Sequence, residues 1–295
     1  MKQCTLRVID EVNVKLEGLD LDVRKKLVKI FKKEIPHARF LPAVRLGRWD
    51  GCKAFFNLGG TSYVNLLPEI LPVIDEAGYD IDLVDQRNYQ THFEFQQIAP
   101  DSFSNYQWPQ GHPAAGEPIV LRDHQVTVVN QFLTNPQSLQ EVATGAGKTL
   151  VTAALSYRCE PHGRTIVIVP NKSLVTQTER DYRLLNLDVG VWFGDRKEAG
   201  RQHTICTWQS LNNLMKGTRS KLEADDGLTI GEFIEDVIAV IVDECHQAKA
   251  DALTSLLTGP LAHIPIRWGL TGSIPKSDYE RLSLLISIGP VTARL

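Results

Sequence analysis

The chain has no apolar run approaching the roughly 20 residues that a membrane-spanning helix needs. Its opening, Met1-Lys2-Gln3-Cys4-Thr5, lacks the apolar core of a secretory signal, so a cytoplasmic chain without membrane contact is expected. Cysteine is sparse. Cys4, Cys52, Cys159, Cys206 and Cys245 are odd in number, scattered and without metal-ligand spacing, which argues against both a disulfide framework and a zinc site. There is no surplus of positive charge either: the formal net charge is −3, so any nucleic-acid surface has to be a local patch. What remains is an ordinary globular composition, 43% hydrophobic and 23% charged over 295 residues, enough for two domains or one large one.

The stretch Glu141-Val142-Ala143-Thr144-Gly145-Ala146-Gly147-Lys148-Thr149 organises the rest. A β-favouring run, Ser138 to Ala143, passes into a glycine turn and then into a helical run from Leu150. Strand, glycine loop and helix start in that order form a phosphate cradle, because the loop amides and the positive helix end face an anion. Lys148 supplies a point charge for the outer phosphates and Thr149 a hydroxyl for a magnesium ion. The strict pattern wants glycine where Val142 stands.

A second decisive stretch is Val237-Ile238-Ala239-Val240-Ile241-Val242-Asp243-Glu244-Cys245-His246. Six apolar residues predict a buried strand with two carboxylates at its carboxyl end. Asp243 suits magnesium, an oxygen-seeking ion, and Glu244 suits a group that orients water against a terminal phosphate. His246, two residues on, reads as a coupling group. Thr165 to Pro170 and Thr204 to Thr207 predict further strands, and Val126 to Leu133 a helix after Leu121-Arg122-Asp123-His124-Gln125. Gln125 has an amide able to pair with both donor and acceptor edges of adenine. Arg267 to Ser273 ends another strand with hydroxyls at Thr271 and Ser273. Alternating strands and helices predict a doubly wound parallel sheet, with ligands at the carboxyl ends of the strands.

The first ninety residues predict a small α+β module. Strands are expected over Cys4 to Asp10, Val12 to Leu16 and Tyr79 to Val84. Helices are expected over Leu21 to Ile35 and Leu67 to Ala77, and a hairpin at Gly59-Gly60. Between Arg24 and Lys53 ten basic residues face only Glu34 and Asp50. Lys25, Lys29 and Lys32, with Trp49, Phe55 and Phe56 nearby, read as a nucleic-acid face with stacking groups. The alternative is the wet side of an amphipathic helix with core aromatics. The proline-rich, aperiodic segment 91–117 reads as a linker between a module over 1–90 and a second domain over 118–295.

Taken together, Leu121 to Gln125, Ala143 to Thr149, Val169 to Leu174, Thr207-Trp208-Gln209-Ser210-Leu211, Asp243 to His246 and Leu270 to Ser273 follow the order of motifs in superfamily 2 helicases. The front module, with Arg48-Trp49-Asp50-Gly51, resembles that of the phage UvsW helicase family. The resemblance implies a RecA-like P-loop NTPase lobe preceded by a small α+β DNA-recognition domain. It implies ATP and Mg2+ as cofactors and branched DNA as partner: forks, Holliday junctions, D-loops and RNA–DNA loops, in recombination, repair and replication. For a phage-encoded chain the compartment would be the host-cell cytoplasm.

By position, Lys148, Asp243 and Glu244 would be catalytic. Arg122, Gln125, Thr144, Gly145, Ala146, Gly147, Lys148 and Thr149 would bind nucleotide, with Thr149 and Asp243 on the metal. His246, Thr271 and Ser273 would couple nucleotide state to movement, while Asn171, Thr207, Gln209 and Ser210 would meet the nucleic-acid backbone. Such motors carry a second lobe that supplies arginines, yet no Gln-x-x-Gly-Arg-x-x-Arg pattern is present. An arginine finger can be worth about 10³ to 10⁵ in rate, so weak hydrolysis by this chain alone is expected. The second lobe would belong to the same full-length protein or act in trans. A double-strand translocase or restriction subunit shares these motifs, and a non-enzymatic ATP-gated binding module is a third reading.

Overall fold

The computed structural model describes residues 2–89, 93–143, 145–219, 228–247 and 250–295, so Thr144 lies outside the described residues. By internal contacts the chain forms two units. One joins Met1–Gln90 to Pro275–Ser287, and the other joins Thr91–Ile274 to Ile288–Leu295.

In the first unit, β1 (Lys2–Val8) and β2 (Asn13–Glu17) alternate as half-buried strands should, turning Cys4, Leu6, Val8, Val14 and Leu16 inward. Helix α1 covers Leu21–Ile30 and stops there, five residues short of the expected end. The reason is Phe31, which is buried and whose carbonyl accepts from the Phe55 amide at 2.9 Å. That bond draws the following residues into β3 (Lys32–Glu34), which pairs antiparallel with β4 (Cys52–Ala54) after the short helix α2 (Pro42–Arg45). Lys32 is therefore a strand residue ion-paired to Asp50, and does not share a helix face with Lys25 and Lys29.

The expected hairpin also divides. β4 joins β3, whereas β5 (Thr61–Tyr63) pairs with β2 in a four-stranded sheet of order β5-β2-β1-β6. The turn between them needs glycine at Gly60. Its φ is +86°, and a Cβ there would sit 2.2 Å from the Leu16 carbonyl oxygen. Phe55 and Phe56 are core, not stacking groups. Helix α3 (Leu67–Glu76) buries Ile70 and Ile74, and β6 (Tyr79–Asp85) closes the sheet parallel to β1.

The second unit holds α4 (Asp123–Leu133), β7 (Gln137–Glu141), α5 (Lys148–Cys159), β8 (Arg164–Val169), α6 (Lys172–Leu184) and β9 (Val189–Phe193). Then follow β10 (Arg196–Lys197), β11 (His203–Thr207), α7 (Trp208–Arg219), α8 (Ile230–Phe233), β12 (Val237–Val242), α9 (Ala250–Thr258) and β13 (Ile266–Thr271). Helix α10 (Asp278–Ser287) groups with the first unit, where Tyr279 packs on Phe55 and the Leu285 carbonyl accepts from Asn65. The last strand, β14 (Val291–Arg294), returns to the second unit beside β7.

The eight-stranded sheet runs β10-β9-β11-β8-β12-β13-β7-β14, parallel except for the β9–β10 pair. All six residues of β12 are buried, as a parallel strand covered on both faces requires. Residues 93–117 hold no helix or long strand, but they are tied down on this unit. Ile98 and Asn130 exchange bonds of 2.8 and 3.0 Å, and the Leu121 amide donates to Pro100. Among the described residues no helix is long and apolar enough to cross a membrane.

Candidate nucleotide and nucleic-acid site

Because β7, β13 and β12 are adjacent and parallel, the segments leaving their carboxyl ends share one rim of the sheet. The glycine loop leaves β7, Asp243-Glu244 leaves β12, and Gly272-Ser273 leaves β13 between them. In the loop Gly145 and Gly147 have φ of +85° and +78°. A Cβ on Gly147 would lie 2.4 Å from Gln125 Nε2, whereas one on Gly145 would meet nothing within 4 Å. The loop is thus pressed against α4 on one side and open on the other, which fits an anion cradle at the start of α5.

Lys148, the first residue of α5, is buried with its Nζ on the Val142 carbonyl at 3.4 Å and in a short contact with Glu244 Oε1. Glu244 occupies the left-handed region at φ +49°, a conformation that costs a non-glycine residue about 1 kcal/mol or more and tends to mark working sites. Its second oxygen accepts from the Gly272 amide at 3.3 Å and lies 3.3 Å from His246 Nδ1. His246 Nδ1 is 2.7 Å from Thr271 Oγ1, whose own proton goes to the Ser273 carbonyl at 2.7 Å, so the imidazole is the donor toward Thr271. The Ser273 amide closes the turn on Thr271 Oγ1. Lys148, Glu244, His246, Thr271 and Ser273 therefore form one connected chain of contacts across three strand ends.

Asp243 is buried beside them. Burial pushes its carboxyl up to about 6; Lys148 opposes that rise and Glu244 reinforces it. One Asp243 oxygen accepts from the Glu244 amide at 2.9 Å. Thr149 and Asp243 each carry a side-chain oxygen of the kind that magnesium takes. Thr149 Oγ1 is engaged with Asp181 of α6, a partner with no sequence signal. Burial holds the Asp181 carboxyl above its ordinary range, and that bond offsets only part of the rise.

Gln125 is buried and fully engaged. Its Oε1 accepts from the Arg122 amide at 2.9 Å, and its Nε2 donates to the Ala146 and Gly147 carbonyls at 3.3 Å each. His124, which the motif reading passed over, meets the Ala146 carbonyl at 3.0 Å. Arg122 itself is exposed at the start of α4.

Residues 118–275 match the family described as Type III restriction enzyme, res subunit. The chain belongs to this family. It is 25% identical over 260 residues to the ATP-dependent DNA helicase uvsW of Enterobacteria phage T4, a match covering 84% of this chain and 48% of that one. It is 26% identical over 196 residues to the DNA 3'-5' helicase XPB of Mycobacterium tuberculosis, covering 64% and 33%. The crystal structure of the UvsW helicase from bacteriophage T4 shares the fold, with a TM-score of 0.72 at 21% identity over 99% of both chains. The chain spans about half the length of the phage relative and about a third of the mycobacterial one.

The other residues of interest fall in two places. Thr207 ends β11, and its hydroxyl bonds Ser210 Oγ at 2.9 Å and receives the Ser210 amide, so both residues help begin α7. Gln209 beside them is exposed. Asn171 follows β8, the neighbour of β11, and caps α6 by accepting from the Leu174 amide at 3.0 Å. In the first unit, Lys25 and Lys29 are exposed on α1, and Trp49 is half-buried with Nε1 on the Cys52 carbonyl. These residues belong to the first unit, and the strand-end residues belong to the second.

Proposed function

We propose that this chain is the front module and first motor lobe of an ATP-dependent DNA helicase acting on branched DNA. Forks, Holliday junctions, D-loops and RNA–DNA loops are its substrate class, in recombination, repair and replication. The observation that carries the reading is the contact chain from Lys148 through Glu244 and His246 to Thr271 and Ser273. It links the phosphate loop, the water-orienting carboxylate and the turn after β13, the wiring a nucleotide-driven motor needs.

Lys148 leaves Glu244 for the outer phosphates, and the loop amides hold the rest of the anion. Thr149 and Asp243 would hold a magnesium ion, which would supply positive charge against the phosphates. Glu244, freed of Lys148, orients water toward the terminal phosphate, and His246 and Thr271 sense that change. Gln125 reads adenine by exchanging its loop carbonyls for the base. Asn171, Thr207, Gln209 and Ser210 meet the backbone of the strand. A second lobe, in the same full-length protein or in trans, completes the cleft.

The test is ATP hydrolysis by this chain with and without forked DNA. ATP and fork binding with negligible turnover supports the reading; fork-stimulated turnover as strong as a complete motor's overturns the need for a second lobe. Because the matching family is described by a restriction subunit, duplex translocation without strand separation is the second reading. Strand displacement by the chain together with a second lobe separates the two.

A further inference from the structure

In the first unit, residues 37–48 form a small knob of two short helical turns that leaves three large apolar side chains in water. Phe40, Leu41 and Leu46 are 63%, 46% and 65% exposed. The knob is nonetheless firmly built. The Phe40 amide donates to His37, Leu41 to Ala38, Leu46 to Pro42 and Arg48 to Ala43, at 2.8–3.0 Å. Ala38 beneath is 1% exposed. Large apolar groups held in water by an ordered frame mark a contact surface.

The surrounding charge selects the partner. Arg39, Arg45 and Arg48 are exposed, residues 37–49 contain no carboxylate, and Arg39 lies 4.9 Å from the Phe40 ring centroid. By contrast, the exposed Ile81 and Leu83 on β6 sit among Asp80, Asp82 and Asp85. A ring and two leucines fenced by guanidinium groups suit a polyanion that also offers flat apolar faces. Paired duplex hides those faces; unpaired bases present them. We propose that this knob is a binding site for unpaired nucleotides, with Phe40 stacking on a base, Leu46 against its edge, and Arg39, Arg45 and Arg48 on the flanking phosphates. The site rests on the DNA-binding reading of the first unit, and would give that unit its means of telling a branch from plain duplex.

The experiment is fluorescence anisotropy on the full chain with an oligo-dT strand, a blunt duplex and phosphatidylserine vesicles. Phe40→Ala should weaken oligo-dT binding about tenfold, with duplex binding and salt slope unchanged, and Phe40→Trp should retain affinity. Changing Arg39, Arg45 and Arg48 to Gln should reduce the salt slope by about two. Phe40 is exposed, so loss of fold is not the expected cause of either change. An unchanged Phe40→Ala affinity for oligo-dT, or an equal loss on duplex, overturns the stacking site alone. A loss confined to vesicles assigns the knob to an anionic lipid surface and overturns the proposal. A wild-type chain that binds neither DNA sinks the DNA-binding reading of the unit as well.

Discussion

Lys148 and Glu244 neutralise each other where little water reaches; their side chains are 8% and 11% exposed. Removing one partner of such a pair strands the other's charge, which costs about 3 kcal/mol or more. Lys148→Met is therefore expected to lower the unfolding free energy by about that amount and to reduce ATP binding. Adding Glu244→Gln should recover most of the stability without recovering nucleotide binding. Urea melts paired with nucleotide titration check it, and additive stability losses would show that the pair is not coupled. Neither residue type is informative alone; the spacing of the glycine loop and the apolar run before Asp243 made both legible. The partners of Thr149 and Gln125 were not, because Asp181 and the Ala146 carbonyl are brought near by packing between helices.

At the scale of elements, the placing of β13 between β7 and β12 decides how the site is wired. Thr271→Val keeps the volume but removes the hydroxyl that meets His246 and Ser273. The expected result is a stability loss of about 1–2 kcal/mol, with nucleotide binding retained. On the proposed motor reading, DNA-dependent stimulation in the presence of a second lobe should fall about tenfold, the size of an ordinary coupling energy. Stimulation that survives Thr271→Val would remove that turn from the coupling path.

The long apolar strands β8 and β12 were plain in the sequence, since continuous burial demands continuous apolar residues. β3 was not: Lys32-Lys33-Glu34 has no alternation to read, and what makes it a strand is its pairing with β4, which begins at the bond from Phe55 to Phe31. That correction sharpens a prediction. Lys25→Gln with Lys29→Gln should lower the salt slope of fork binding by about two if both meet phosphates. Lys32→Gln instead breaks the pair with Asp50 and tests the β3–β4 ribbon. An unchanged slope in the double variant would make α1 a solvated face.

Across the whole molecule, each unit owns two pieces of chain, an arrangement that no reading of local periodicity supplies. Tyr279 shows why. It lies in sequence beyond the motor motifs, yet it is 2% exposed and 5.7 Å from the Phe55 ring in the first unit. Tyr279→Ala should destabilise that unit by about 3 kcal/mol. Hydrogen exchange should then speed in β2 and β5 while β8 and β12 keep their protection. Loss of protection in β8 and β12 instead would show that α10 supports the second unit.

This interleaving sets a timetable for synthesis. A ribosome that has made residue 90 has supplied nine-tenths of the first unit, but the piece bearing Tyr279 and Leu285 emerges only after the other unit's sheet has been almost wholly translated. At about 5–20 residues per second that delay is on the order of ten to forty seconds. During it Phe55 waits without the Tyr279 ring that packs on it in the finished fold.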